Sequence, residues 1–364
     1  MVEWKKLGEI AEIGTGSNNR EDACENGCYP FYVRSKDVLR IDSYLYDEEA
    51  ILIPGEGGIG DIFHYVNGKY GLHQRTYRVH SVTDEVKGRF IYYYLFANFK
   101  TYINTKSYKS TAASIRKPML LDFRIPIPSL SEQIRIVGIL DTFTSAIDNL
   151  KEQIAQRRKQ YEYYRDQLLD LEGKEGVEIL KIKDICSNIC SGGTPSTSHK
   201  EYYEGSVNWL RTQEVDWGYI YDTEIRITED AIANSSAKLI PENCVIVAMY
   251  GATAAKVAIN KIPLTTNQAC CNLEIDKSKA LYKFVFYWLC KEYLNLKSMG
   301  EGSQNNINGQ KVKGYPIPIP SLSEQSRIVS ILDTFEASIQ NLEAQLKERE
   351  KQYEYYRNKL LTFE

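Results

Sequence analysis

The segment GEGGIG at Gly55–Gly60 carries the glycine spacing G-x-G-x-x-G, which lets a backbone approach a pyrophosphate. That chemistry needs a strand before the glycines and a helix after them, so that the helix N-terminus meets the phosphates. DIFHYVNGKYG follows instead, which reads as strand and turn, so a plain loop is expected. Neither G-x-x-x-x-G-K-[ST], H-E-x-x-H nor G-x-S-x-G occurs. The amino-methyltransferase signature Asn-Pro-Pro-aromatic is missing, and no Pro-Asp pair opens a nuclease-type carboxylate cluster. Cys24/Cys28 and Cys186/Cys190 have C-x3-C spacing, and Cys270 and Cys271 are adjacent. The four histidines stand at no complementary spacing, so buried thiols rather than metal ligands are expected. No constellation names a reaction, and a chain that is not an enzyme is the expectation.

One stretch offers binding chemistry. Residues 98–124 hold six Lys or Arg against one Asp, with Tyr102 and Tyr108 interleaved. Such a basic, aromatic segment rich in Ser and Thr suits phosphate contacts, and equally a solvated charged face. The net charge of −3 argues against a general basic coat for nucleic acid. No run of about 18 apolar residues is long enough to span a membrane, and no signal peptide opens the chain, so a cytoplasmic location is expected.

What positions these residues is a duplication. IPIPSLSEQ occurs at Ile125–Gln133 and again at Ile317–Gln325, and 32 of 48 positions agree between Ile125–Glu172 and Ile317–Glu364. Pro126 and Pro128 enforce an extended approach. Ser129 and Glu132 then read as a capping box. Apolar positions follow at Phe143, Ile147, Leu150, Ile154, Arg157, Tyr161, Tyr164 and Leu168, in steps of four and three. The second copy has Phe335, Ile339, Leu342, Leu346, Arg349, Tyr353, Tyr356 and Leu360. A heptad stripe on a helix of about 65 Å calls for one partner helix, and the two copies are each other's natural partner. Arg157 and Arg349 should then meet acidic residues or tyrosines across the seam.

Residues 1–124 and 173–316 are less alike but share an order of landmarks. A strand-like opening ends in a Gly-rich turn (GEIAEIGTGS; KDICSNICSGGTPS), followed by an Arg-centred strand (FYVRSKDV; NWLRTQEV) and a loop (IPGEGGIGD; VAMYGATAA). Gln74 aligns with Gln268, Arg34 is read as the counterpart of Arg211, and a helix leads to each IPIPSLSEQ junction. The expected fold is α+β. Two mixed α/β globular domains (1–124 and 173–316) are each followed by a Pro-rich junction and long helix (125–172 and 317–364). The helices would pair as an antiparallel coiled coil with pseudo-two-fold symmetry, matching the symmetry of duplex DNA.

This order, with SLSEQ-x-RIV-x-ILD at each junction and SGGTPS at Ser191–Ser196, resembles the specificity (S) subunit of type I restriction–modification enzymes. The resemblance spans the whole chain, although IGTGSNN at Ile13–Asn19 stands where GGTP is expected. It implies two target recognition domains reading a split DNA site in the major groove, with helices that set the gap and recruit two modification (methyltransferase) subunits. S-adenosylmethionine, ATP and Mg would then belong to partner subunits, including restriction/translocase subunits, and no cofactor to this chain. Major-groove reading favours Arg for guanine and Asn or Gln for adenine. On that basis the first domain offers Arg34, Lys36, Gln74, Arg75 and the stretch with Lys106, Lys109, Arg116 and Lys117. The second offers Arg211, Gln213, Asn267, Gln268 and Ser303, Gln304, Asn305 and Asn306. A coiled-coil scaffold without sequence reading is the alternative.

Overall fold

The computed structural model describes residues 2–106, 114–301 and 306–363, with only the backbone of Lys106. Two compact units emerge: Met1–Glu152 with Glu343–Glu364, and Gln153–Leu342. Each holds one globular part and a segment of both long helices.

In the first unit a six-stranded sheet runs Ala11–Thr15, Thr76–Ser81, Tyr46–Pro54, His64–Leu72, Tyr29–Tyr32, Val38–Ile41. Only Tyr29–Tyr32 beside His64–Leu72 is a parallel pairing. Side chains alternate across a strand. Ile51 and Ile53 therefore join Phe90, Leu95 and Phe99 of the helix Gly88–Lys106, while Ala50 and Leu52 join Val66, Tyr70 and Leu72. In the second unit a five-stranded sheet runs Cys186–Ser191, Cys270–Ile275, Val245–Ala248, Val257–Asn260, Tyr219–Ile220. A second sheet runs Ile225–Ile227, Val207–Leu210, Leu264–Thr266, Leu239–Ile240. The same alternation recurs, with Val245 and Val247 facing Phe284 and Val285 of the helix Tyr282–Lys291, and Ile246 and Ala248 in the other cluster.

The long helices are Leu130–Leu168 and Leu322–Leu360, each 39 residues or about 58 Å. They are shorter than the duplicated segments because Leu169 and Leu171, and in the other copy Leu361, leave the helix to enter the cores. The heptad stripe is the seam. In the first unit Phe143 stacks on Tyr356 and Lys151 pairs with Glu350, which runs the helices antiparallel. In the second unit the roles exchange, with Tyr164 stacked on Phe335. Ile147 and Ile154 are buried; Leu150, Tyr161, Ile339, Leu342, Leu346 and Tyr353 are half-buried. Among the described residues, Arg157 and Arg349 meet no acid or tyrosine across the seam. Each guanidinium lies over a phenylalanine, Arg157 over Phe335 at 5.9 Å and Arg349 over Phe143 at 5.7 Å. A ring face attracts a cation without desolvating a counter-charge, a contact of about 0.5–1 kcal/mol where exposed. Leucine at both positions is expected to leave the melting temperature unchanged or raise it; a clear fall in a calorimetric scan would show that the arginines hold the seam.

The junction repeats atom for atom. Arg124–Ile127 pairs antiparallel with Glu3–Lys6, and Pro316–Ile319 with Glu178–Lys181. The capping box is only half formed. Ser129 Oγ and Ser321 Oγ accept from the amides of Glu132 and Glu324, but those carboxylates turn outward onto Arg135 and Arg327. The last residue of the motif carries the joint. Gln133, fully buried, accepts from the Lys87 amide and donates to the carbonyls of Glu85 and Pro128. Gln325, also fully buried, accepts from the Leu281 amide and donates to those of Lys279 and Pro320. About two helical turns further on, Asp141 receives Arg89 and Tyr93, and Asp333 receives Lys283 and Tyr287.

Candidate nucleic-acid interface

In each unit the Gly-rich turn, the end of the Arg-centred strand, the loop after the central strand (Tyr46–Pro54; Val245–Ala248) and the turn bearing the aligned glutamine come together, at a corner of the one sheet in the first unit and where the two sheets meet in the second. The Gly-rich turn is held by close approach. A Cβ on Gly16 would lie 1.8 Å from the Leu72 carbonyl oxygen, and one on Gly192 1.8 Å from that of Thr266. The first unit thus keeps the glycine that the shared geometry needs. The second glycine, Gly193, abuts Ser236 and Ala237, a contact particular to the second unit. This explains how IGTGSNN substitutes for SGGTPS.

The register settles the correspondences. Tyr32 pairs with Leu72 and Leu210 with Thr266, so Gln74 matches Gln268 as expected. Arg211 then matches Val33, not Arg34, whose counterpart is Thr212. The two arginines stand one residue apart because letter patterns alone carry no strand register. The glutamines tie back to the Gly-rich turn in both units: Gln74 Nε2 donates to Asn19 Oδ1 at 2.7 Å, and Thr194 Oγ1 donates to Gln268 Oε1 at 2.5 Å.

In the first unit, Arg34 and Arg75 converge on Glu56. Arg34 Nη1 donates to Glu56 Oε2 at 3.0 Å, and Arg75 Nη1 donates to both carboxylate oxygens at 2.8 and 3.2 Å. The Arg75 hydrogen bonds, then that of Arg34, hold the Glu56 carboxyl below the usual range. Beside them lies a cavity of about 220 Å³ lined by Arg20, Val33, Arg34, Ser35, Glu56, Gly57 and His73. His73 is buried and its Nδ1 accepts the Arg75 amide at 3.0 Å. Burial, then the Arg34 and Arg75 charges, lower its pKa, so the ring is a neutral acceptor that shapes the turn. Lys36 is exposed on the loop after Arg34. Arg116 and Lys117 are exposed too, and the segment reaches this corner because Ile115 donates to the Gly55 carbonyl. GEGGIG is a loop between two strands, as expected.

In the second unit Arg211 pairs with Glu224, and its Nε lies 3.5 Å from Glu214. Gln213, with its amide oxygen turned to Arg211, accepts from both terminal nitrogens at 3.0 and 3.2 Å. The side-chain oxygen of Asn267 accepts the Ala269 amide, and that of Asn306 accepts the Gly251 amide. Both asparagines therefore brace the loops through their side-chain oxygens. Lys109, Ser303, Gln304 and Asn305 lie outside the described residues, as does the Lys106 side chain. Glu56, Glu214, Glu224, Asn19 and Thr194 escape sequence reasoning, since a carboxylate that organises an arginine has no spacing signature.

The expected burial of the thiols holds for Cys244, Cys270 and Cys271 only; Cys28 is exposed and the other four are half-buried. The eight cysteines are free, and burial pushes Cys186, Cys244, Cys270 and Cys271 up to about 12. Among the described residues no cluster of His, Cys, Asp and Glu could hold a metal, and no helix is long and apolar enough to cross a membrane.

Known proteins are similar to this chain in sequence and in fold. A family model described as type I restriction modification DNA specificity domain matches residues 1–157 and 174–350. The EcoR124I/EcoR124II specificity subunit of Escherichia coli is 35% identical over 258 residues, 66% of this chain and 63% of that protein. A putative type I specificity subunit of Haemophilus influenzae is 27% identical over 100% of this chain and 96% of its own. The fold matches the S subunit of a type I restriction–modification system from M. genitalium with a TM-score of 0.70 at 16% identity, covering 100% of this chain and 97% of that one. With the family domain matched twice, once in each half, the chain belongs to the type I restriction–modification DNA specificity family.

Proposed function

We propose that this chain selects the DNA sequence for a type I restriction–modification assembly and leaves the chemistry to partner subunits. Residues 1–124 and 173–316 serve as the two target recognition domains, and 125–172 and 317–364 as the junctions and helices that carry them. The observation that supports this best is the paired corner: the same loops recur in both units, but their guanidinium and amide side chains differ. A shared frame with different donors is what reading two different half-sites in the major groove requires. The near-neutral charge suits a reader whose partners contribute phosphate contacts. Those partners are two methyltransferase subunits, which would hold S-adenosylmethionine, and restriction/translocase subunits, which would use ATP and Mg.

Co-expression with the methyltransferase subunit and sequencing of methylated adenines tests the reading. One asymmetric two-part motif is expected, and replacing residues 1–124 by another such domain should change one part alone. If both parts survive the exchange, the reading fails. DNA binding by the assembled complex that ignores sequence would favour a scaffold.

A further inference from the structure

We infer that Glu56 is a positioning residue for DNA reading, a carboxylate that aims Arg34 and Arg75 together at a guanine and keeps them off phosphate. The inference rests on the proposed role in DNA selection. Three observations carry it. Glu56 meets both arginines through their Nη1 atoms alone, at 2.8 to 3.2 Å. A guanidinium has five N–H donors in a fixed fork, so each arginine retains donors for the two acceptors, N7 and O6, of a guanine edge. The backbone that carries the carboxylate is fixed from behind: Glu56 and Ser114 form a β-bridge, and the Gly55 amide donates to the Arg75 carbonyl. Finally, the fold does not need the cluster. In the second unit the same backbone link joins Met249 and Ala269, so the positions of Glu56 and Arg75 are filled there by Tyr250 and Ala269. A residue that the shared frame does without is free to encode a choice.

The electrostatic consequence has a sign. An unpaired arginine is drawn to any phosphate, which strengthens binding without regard to sequence. A carboxylate between two arginines lowers that attraction and restricts the rotamers from which a base edge can be met. Removing its charge should therefore weaken discrimination while strengthening non-specific binding.

The test uses the full chain assembled with its methyltransferase subunits, with wild type, Glu56→Gln and Glu56→Asp compared. Binding to a duplex carrying the motif and to one lacking it is titrated across salt concentrations. For Glu56→Gln, binding to the unrelated duplex should tighten and its salt dependence steepen by about one unit per phosphate newly reached. Binding to the motif should weaken about tenfold, the scale of one lost bidentate base contact. The methylome should relax at a G·C pair in the part set by residues 1–124 and stay unchanged in the other. Glu56→Asp should restore the low non-specific binding more than the discrimination. Parallel loss on both duplexes would make Glu56 a structural residue, and parallel gain a simple counter-charge; either overturns the inference. So does a first half-site without a G·C pair. A wild-type complex that methylates no two-part motif sinks the underlying reading instead, before any variant is compared.

Discussion

Replacing Gln133 by Leu is expected to unfold the first unit well below the wild-type melting temperature, and Gln325→Leu to do the same to the second. The side chain of each is fully buried and makes three hydrogen bonds, all to backbone groups. Leucine matches the volume but leaves one amide and two carbonyls without their partner. An orphaned buried group costs about 1–3 kcal/mol, so the loss should be on the order of 3 kcal/mol or more. That is a large part of the few kcal/mol by which domains are held folded. Two transitions in a calorimetric scan, only one of them displaced by each substitution, would show that the glutamines act locally. An unshifted scan would mean that water replaces the amide. Glu is a useful companion variant: it keeps the acceptor but loses the donors, and a carboxylate facing two carbonyls should be worse than leucine.

The second large effect is expected at Gly192. Its missing Cβ leaves room for the Thr266 carbonyl, and alanine would place a carbon 1.8 Å from that oxygen. Nothing at the site is the far end of a flexible side chain, so the turn must move. That turn holds Thr194 against Gln268 and carries the amide of Gly193 to Thr266. Gly192→Ala should therefore cost about 1–3 kcal/mol of stability. It should also disturb the loops proposed to read the second half-site, cutting methylation of the whole motif by roughly tenfold or more, since one damaged base contact costs about 1–3 kcal/mol. Gly16→Ala should act alike on the first half-site, because the Leu72 carbonyl stands at the same distance. Gly193→Ser separates the two positions. The first unit carries Ser17 next to its essential glycine, but in the second Ser236 and Ala237 occupy that space. Methylome sequencing beside a thermal melt resolves loss of reading from loss of fold.

The sequence spelled out the parts governed by period. Steps of four and three from Phe143 to Leu168 place the seam, because a heptad has a physical meaning at any depth in the fold. The order of turn, strand, loop and glutamine placed Gln74 against Gln268. Register was beyond it: Arg34 and Arg211 look alike in writing and differ by one residue on the strand. Ser129 and Glu132 look like a capping box, and the serine behaves as one, yet Arg135 three residues on outbids the backbone for the carboxylate. Gln133 was visible in the repeated letters, but a glutamine in a first helical turn reads as a solvated residue. Its burial comes from the Lys87 amide and the Glu85 carbonyl, far away in the chain. The arginine clusters escaped for the same reason, since Glu56 lies 22 residues from Arg34 and 19 from Arg75.

The backbone-only grip of Gln133 and Gln325 has a bearing on ancestry. Beyond the junction itself, neither amide inspects a side chain of the globular part it holds, only the peptide groups at Glu85 and Lys87 or at Lys279 and Leu281. Any insert that presents the same peptide groups at the start of its helix, with a cation and a tyrosine further along it for Asp141 or Asp333, meets the polar demands of the joint. The glutamines are blind to their cargo, and the side-chain check falls to Asp141 and Asp333, which take a cation and a tyrosine from it. Genes built this way can trade one cassette for another within the repeated stretch and gain a new target in a single exchange, without retuning the joint.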